Sequence, residues 1–182
     1  MSSNAAPFQL GTLPIRRFRT EDEHFVRAPL DAIFALAARV HEWPRHLTHY
    51  RYVRFLEHRA DGGGIVEMSA NRPFGRWNWP TRWTSEMAVS PPGQAGEGPW
   101  VRFRHIHGIT RGMEVEWSFA PSAEGTLVRI VHVWDGPGWP LVGDAAAQWV
   151  IGPVFVHGIA SRTLAGLGAA AERGTSFMAA AR

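Results

Sequence analysis

Apolar and polar residues repeat with two different periods along the chain, and the changes of period mark its elements. Apolar Ile15, Phe18, Phe25 and Val26 are interspersed with charges, and Arg16 to Arg27 predicts a first strand. Ala28-Pro29 then opens a helix, because proline's fixed φ and missing N–H suit the first helical position. Leu30, Ile33, Phe34 and Ala37 follow at i, i+3, i+4 and i+7, one apolar face. Trp43-Pro44 restarts a short second helix that ends near Leu47.

From Tyr50 the period is that of strands. Tyr50–Arg59, the turn Asp61-Gly62-Gly63-Gly64 and Ile65–Asn71 predict a hairpin. Trp77–Val89 reads as a long strand closed by Pro91-Pro92-Gly93, and Trp100–His107, Met113–Ala120 and Thr126–Trp134 as three more. Asp144 can N-cap a terminal helix, Pro153 should kink or restart it, and the small residues past Gly174 predict a frayed end. Consecutive strands joined by short turns form an antiparallel meander, so the class is α+β. A long helix covers one face of such a sheet only if the sheet curls around it. That leaves a cavity between sheet and helix, a favoured place for a small molecule.

A chain of 182 residues with 45% hydrophobic and 19% charged residues fills one core. The expected layout is a flexible leader over 1–14, a single domain over 15–174 and a flexible tail over 175–182. All 19 basic residues are Arg, Cys is absent and Tyr occurs twice, so little titrates between His and Arg. The pI near 10.5 therefore reflects missing buffers, and the formal net charge of +3 argues against a nucleic-acid partner. Without Cys there is no disulfide scaffold, thiolate metal site or Cys nucleophile. Met1 to Leu13 lacks the basic and apolar runs of a signal peptide. The longest apolar stretch, Ala145 to Ala171, contains Gln148, Pro153, His157, Ser161 and Arg162, so no membrane insertion and a cytoplasmic location are expected.

The nine Trp need a place. Side chains two apart on a strand share a face, so Trp77, Trp79, Thr81 and Trp83 line up, with Asn78, Arg82 and Glu86 opposed. Met113, Val115, Trp117 and Phe119 form a second apolar face. These rings either fill a core or wall a cavity for a flat apolar ligand. His105, His107 and Phe103 share a face on another strand, and His132 and His157 can converge with them. Ile130 and Trp134, on either side of His132, are expected to bind the ligand. An imidazole near neutrality can move protons, three converging imidazoles can hold Zn or Fe, and hydrogen-bonded structural histidines are the plain alternative. His41, His46 and His49 belong at the surface. Arg102, Arg104 and Arg111 either form a solvated strand face or attract an acidic partner such as an acyl carrier protein.

Element order and three local motifs carry a resemblance to a known family. The motifs are Ala28-Pro29 with Glu42-Trp43-Pro44-Arg45 and Tyr50, then Trp77-Asn78-Trp79, then Glu116-Trp117 followed by Gly125-Thr126-Leu127-Val128-Arg129. Over about Phe25 to Glu172 the chain resembles the START-like or Bet v1-like (SRPBCC) superfamily, and within it the bacterial aromatic polyketide cyclases. The resemblance implies a helix-grip fold: a curved antiparallel sheet of about seven strands around a long C-terminal helix, with two short helices after the first strand. It implies that Tyr50, Trp77, Trp79 and Trp117 belong to a ligand cavity. Related cyclases carry an Arg on the fourth strand where this chain has Trp83, and Arg82 replaces it only if a bulge turns it inward.

The expectation is a cofactor-free polyketide cyclase or aromatase that binds an aromatic or poly-β-ketone molecule and promotes cyclisation and dehydration. Tyr50, His105, His107, His132 and Arg82 would be catalytic. Trp77, Trp79, Trp83, Phe103, Trp117, Ile130, Trp134 and His157 would hold the ligand, with no metal. The alternative is a non-catalytic carrier of a lipid-like or aromatic molecule.

Overall fold

A computed structural model describes residues 17–74, 77–94, 98–136 and 157–180. The leader, Asp144 and Pro153 lie outside the described residues. Strand β1 (Phe18–Val26) leads into α1 (Leu30–Ala38), a 3-10 turn (Val40–Glu42) and α2 (Trp43–His46). Six strands follow: β2 (Tyr50–His58), β3 (Gly64–Phe74), β4 (Trp77–Ser90), β5 (Trp100–His107), β6 (Glu114–Ser122) and β7 (Gly125–Trp134). Helix α3 (His157–Ala180) continues six residues past Gly174.

The sheet order is β1-β7-β6-β5-β4-β3-β2. Every neighbouring pair is antiparallel. The six later strands therefore form the expected meander, and β1 adds to its far end. Helix α3 packs against β1, α1 and α2, which sets the helix-grip arrangement. At Gly166 a Cβ would collide with the buried Leu47, so glycine permits that close approach.

In α1 the predicted face holds, with Ile33, Phe34 and Ala37 buried. Pro29 stands one residue earlier than expected, at the N-cap in extended backbone, and its carbonyl accepts from Ala32 and Ile33. The other end of α1 is closed from a distance: the Trp43 indole N–H donates to the Leu36 carbonyl at 3.0 Å. That carbonyl belongs to the last turn, which lacks intrahelical partners.

Two irregularities in the sheet decide which residues face inward. Strand β4 pairs with β3 from Met87 out to Phe74↔Trp77. It meets β5 only from Thr84 onward. Past Ala70↔Thr81, where β2 also ends, β3 and β4 project as a two-stranded arm. Strand β5 also carries an extra residue, Ile106, because Thr84 pairs with His107 while Ser85 pairs with His105.

The outer face is laced with ion pairs. Arg102 meets Glu116 at 2.7 Å, and Arg104 meets Glu114 at 3.1 Å and Glu86 at 3.7 Å. Arg102 also lies over the Trp100 ring at 4.2 Å. Cross-strand neighbours of opposite charge thus neutralise two of the three arginines considered for an acidic partner, and Arg111 is the exposed one. Among the described residues no helix is long and apolar enough to cross a membrane.

Candidate functional site

Between the inner sheet face, α2 and α3 lies a cavity open to solvent, whose empty space together with the solvent at its mouth is about 550 Å³. Its aromatic wall is continuous. Trp43 is the hub, with ring centroids 5.3 Å from Tyr50, 6.2 Å from Phe103 and 5.5 Å from Trp117. Tyr50 lies 6.2 Å from Trp83, and Trp83 lies 6.1 Å from His105 at an interplanar angle of 31°. Met68, Val115 and Ile130 add aliphatic surface from the sheet, Met113 from the loop just before β6, and Ile159 and Ala160 from α3. Polar lining comes from Tyr50, His105, Thr110, His132 and Thr163. No Arg, Asp or Glu is among these lining residues.

Seven of the residues expected at a site come together here: Tyr50, Trp83, Phe103, His105, Trp117, Ile130 and His132. Their strand faces are set by local alternation, and the sheet curls as that alternation requires. Four other residues lie elsewhere.

Trp79 has the right face but stands on the projecting arm, where it is 64% exposed. Arg82 is exposed on the outer face, because the extra residue sits in β5 and leaves β4 unbulged, so Trp83 stays inward. His107 is exposed beyond the same register shift and does not join His105. Trp134 is buried and is not among the residues that line this cavity; its indole N–H donates to the Arg111 carbonyl at 2.9 Å. The side chains of Trp77 and His157 lie outside the described residues. Among the described residues no three His, Asp or Glu come together.

Each of three imidazoles meets a threonine hydroxyl. His105 Nδ1 is 2.6 Å from Thr110 Oγ1, and His132 Nδ1 is 3.3 Å from Thr20 Oγ1. His49 Nε2 is 3.2 Å from Thr163 Oγ1, on α3. His49 was expected at the surface, but it is half-buried against the Tyr50 ring, 4.9 Å away. Nothing in the local pattern announces this, because α3 brings Thr163 from 114 residues away. Met68, in contrast, was legible, since Val66, Met68 and Ala70 are two apart and all buried.

Burial, and then the Arg162 guanidinium, push the His49 imidazole down to about 4 from its ordinary 6.5. Unfolding returns the ring to water, where it takes up a proton first. Stability from this neutral ring is therefore complete above about pH 6.5 and lost as pH falls toward 4. In urea titrations between pH 7 and 4, His49→Asn should lose less stability than the parent chain. An NMR titration placing His49 near 6.5 would remove the basis for this.

A protein of Streptomyces halstedii named as a polyketide cyclase is 26% identical over 112 residues, 60% of this chain and 94% of that one. The Zhui aromatase/cyclase from Streptomyces sp. R1128 superposes with a TM-score of 0.69 at 20% identity, over 86% of this chain and 94% of its own. A START superfamily protein from Mycobacterium smegmatis superposes with a TM-score of 0.61 at 15% identity, over 85% and 97%. At such identities the two structures speak for the fold alone. The sequence itself matches the family described as polyketide cyclase / dehydrase and lipid transport over residues 26–150, and the chain belongs to that family.

Proposed function

We propose that the cavity binds an aromatic or poly-β-ketone molecule and promotes its cyclisation and dehydration without a cofactor. The observation that carries this reading is the pairing of an aromatic wall with two separated imidazoles and a phenol in one cavity. The rings Trp43, Trp83, Phe103 and Trp117 would hold a flexible polyketone so that one α-carbon and one carbonyl meet, which supplies much of the acceleration. Tyr50, His105 and His132 would donate hydrogen bonds to carbonyl oxygens or remove α-protons. His105 on β5 and His132 on β7 are separated by β6, so they act on different parts of one ligand.

An acyl carrier protein remains the proposed partner for a tethered substrate. Arg102 and Arg104, already paired on the outer face, are poor candidates for meeting it. The test is to supply a thioester-tethered poly-β-ketone and follow ring products by chromatography. One ring product should form faster, and with narrower regiochemistry, than in buffer. Arg82→Ala, on the solvent side, should leave the rate within about twofold. An unchanged product distribution would count against cyclase activity.

One observation favours a second reading, that of a carrier for an apolar molecule. The described lining holds no arginine or carboxylate, whereas the resemblance to the aromatic polyketide cyclases implies an inward arginine on the fourth strand. A carrier would quench Trp fluorescence on binding a flat apolar ligand and return it unchanged.

A further inference from the structure

Resting on the reading that His105 touches the ligand, the loop after β5 defines which kind of hydrogen bond it makes. Gly108–Gly112 closes on itself: Arg111 N–H donates to the Gly108 carbonyl at 3.1 Å, and Gly112 N–H to the His105 carbonyl at 2.8 Å. Met113 N–H donates to the Thr110 carbonyl at 3.0 Å, and His105 N–H to the Met113 carbonyl at 2.9 Å. Gly108 has φ +105°, and a Cβ there would come within 2.9 Å of the Arg82 carbonyl and of Trp83 Cβ, so glycine is required. From β7, the Trp134 indole pins the loop through the Arg111 carbonyl.

This framework turns Thr110 inward. The residue is 2% exposed, and its hydroxyl lies 2.6 Å from His105 Nδ1, its one side-chain partner among the described residues. A hydroxyl carries a single proton. If Nδ1 carried the imidazole proton, the hydroxyl would accept, and its own proton would be buried without an acceptor, a costly arrangement. If Nδ1 carries the lone pair, the hydroxyl donates and both groups are satisfied.

We propose that Thr110 is a positioning residue that holds neutral His105 as the Nε2–H tautomer, so that His105 offers the ligand a hydrogen-bond donor and not a base. With the Thr110 hydroxyl donating to Nδ1, the ring proton sits on Nε2. There it meets the negative charge that grows on a carbonyl oxygen as an enolate forms, and no bond to His105 is made or broken. The α-proton then goes to another group. His132 is placed for this, because its threonine partner, Thr20, is only half-buried and can give its hydroxyl proton to water.

The test is histidine ring ¹⁵N NMR on the full chain near pH 8, with His105 assigned through His105→Gln. A pyridine-like Nδ1 and a pyrrole-like Nε2 are expected before any ligand is added. Thr110→Val should move both nitrogens toward the averaged signals of exchanging tautomers, and Thr110→Ser should restore them. In turnover, Thr110→Val should lower kcat about tenfold with KM within about twofold, and Thr110→Ser should recover it. A pyrrole-like Nδ1 in the parent chain, or nitrogens unmoved by Thr110→Val, overturns the proposal. The parent spectrum decides alone if Thr110→Val does not fold. A chain that turns over no polyketone sinks the cyclase reading while leaving the tautomer result intact.

Discussion

His105→Ala should slow ring formation by about 10²- to 10³-fold while ligand affinity stays within a few-fold. His105 lines the cavity and faces Trp83 at 6.1 Å. The alanine variant removes the polar ring but keeps the aromatic wall of Trp43, Tyr50, Trp83 and Trp117. Binding drawn from ring faces therefore persists, and stabilisation of developing charge does not. The variant separates the two functional readings: a carrier loses nothing that a transport assay reads, whereas a cyclase loses product. Fluorescence titration and product analysis on one preparation give both numbers. Full ring-forming activity in His105→Ala, alongside intact binding, would leave the carrier reading standing.

Trp43→Ala is expected to destabilise the fold by about 3–5 kcal/mol, the range for truncating a buried aromatic ring. Trp43 is 3% exposed and touches three other rings of the cavity wall. It also supplies the donor that closes the end of α1 through Leu36. Its loss opens a void and orphans a helix-terminal carbonyl together. Trp43→Phe separates these effects: most of the ring packing stays, and the missing N–H should cost about 1 kcal/mol. Urea unfolding of both variants measures the difference. A Trp43→Ala penalty below about 1 kcal/mol would show that the wall does not depend on this residue.

Much of the cavity was legible in the strand alternation. Trp83, Phe103, Trp117, Ile130 and His132 face inward because side chains on a pleated strand alternate whatever their partners. Tyr50 was placed by its motif at the start of β2. The same alternation misplaced Trp79 and His107. Trp79 depends on where β5 ends beside β4, and His107 depends on an extra residue in the ladder between those two strands, which only their pairing reveals. Trp134 sat on the expected strand, but its indole N–H is spent on a loop carbonyl that only the fold brings near. His49 had no local signal, since its partner arrives on α3.

The sequence by itself determined the class, the meander of strands, the inward faces and the apolar character of the cavity. These follow from periodicity and turn chemistry, which are properties of neighbouring residues. Only the tertiary structure decided which polar groups meet inside that cavity. Arg82 was turned out and His107 displaced by where one extra residue falls in the β4–β5 ladder. Arg102 and Arg104 were neutralised by the register of β6 and β4 against β5. Thr110, Thr20 and Thr163 were brought to three imidazoles by a loop, an edge strand and a distant helix. The physical reason is one of range: burial patterns are written every second residue, whereas hydrogen-bond partners are chosen by chain segments that meet only after folding.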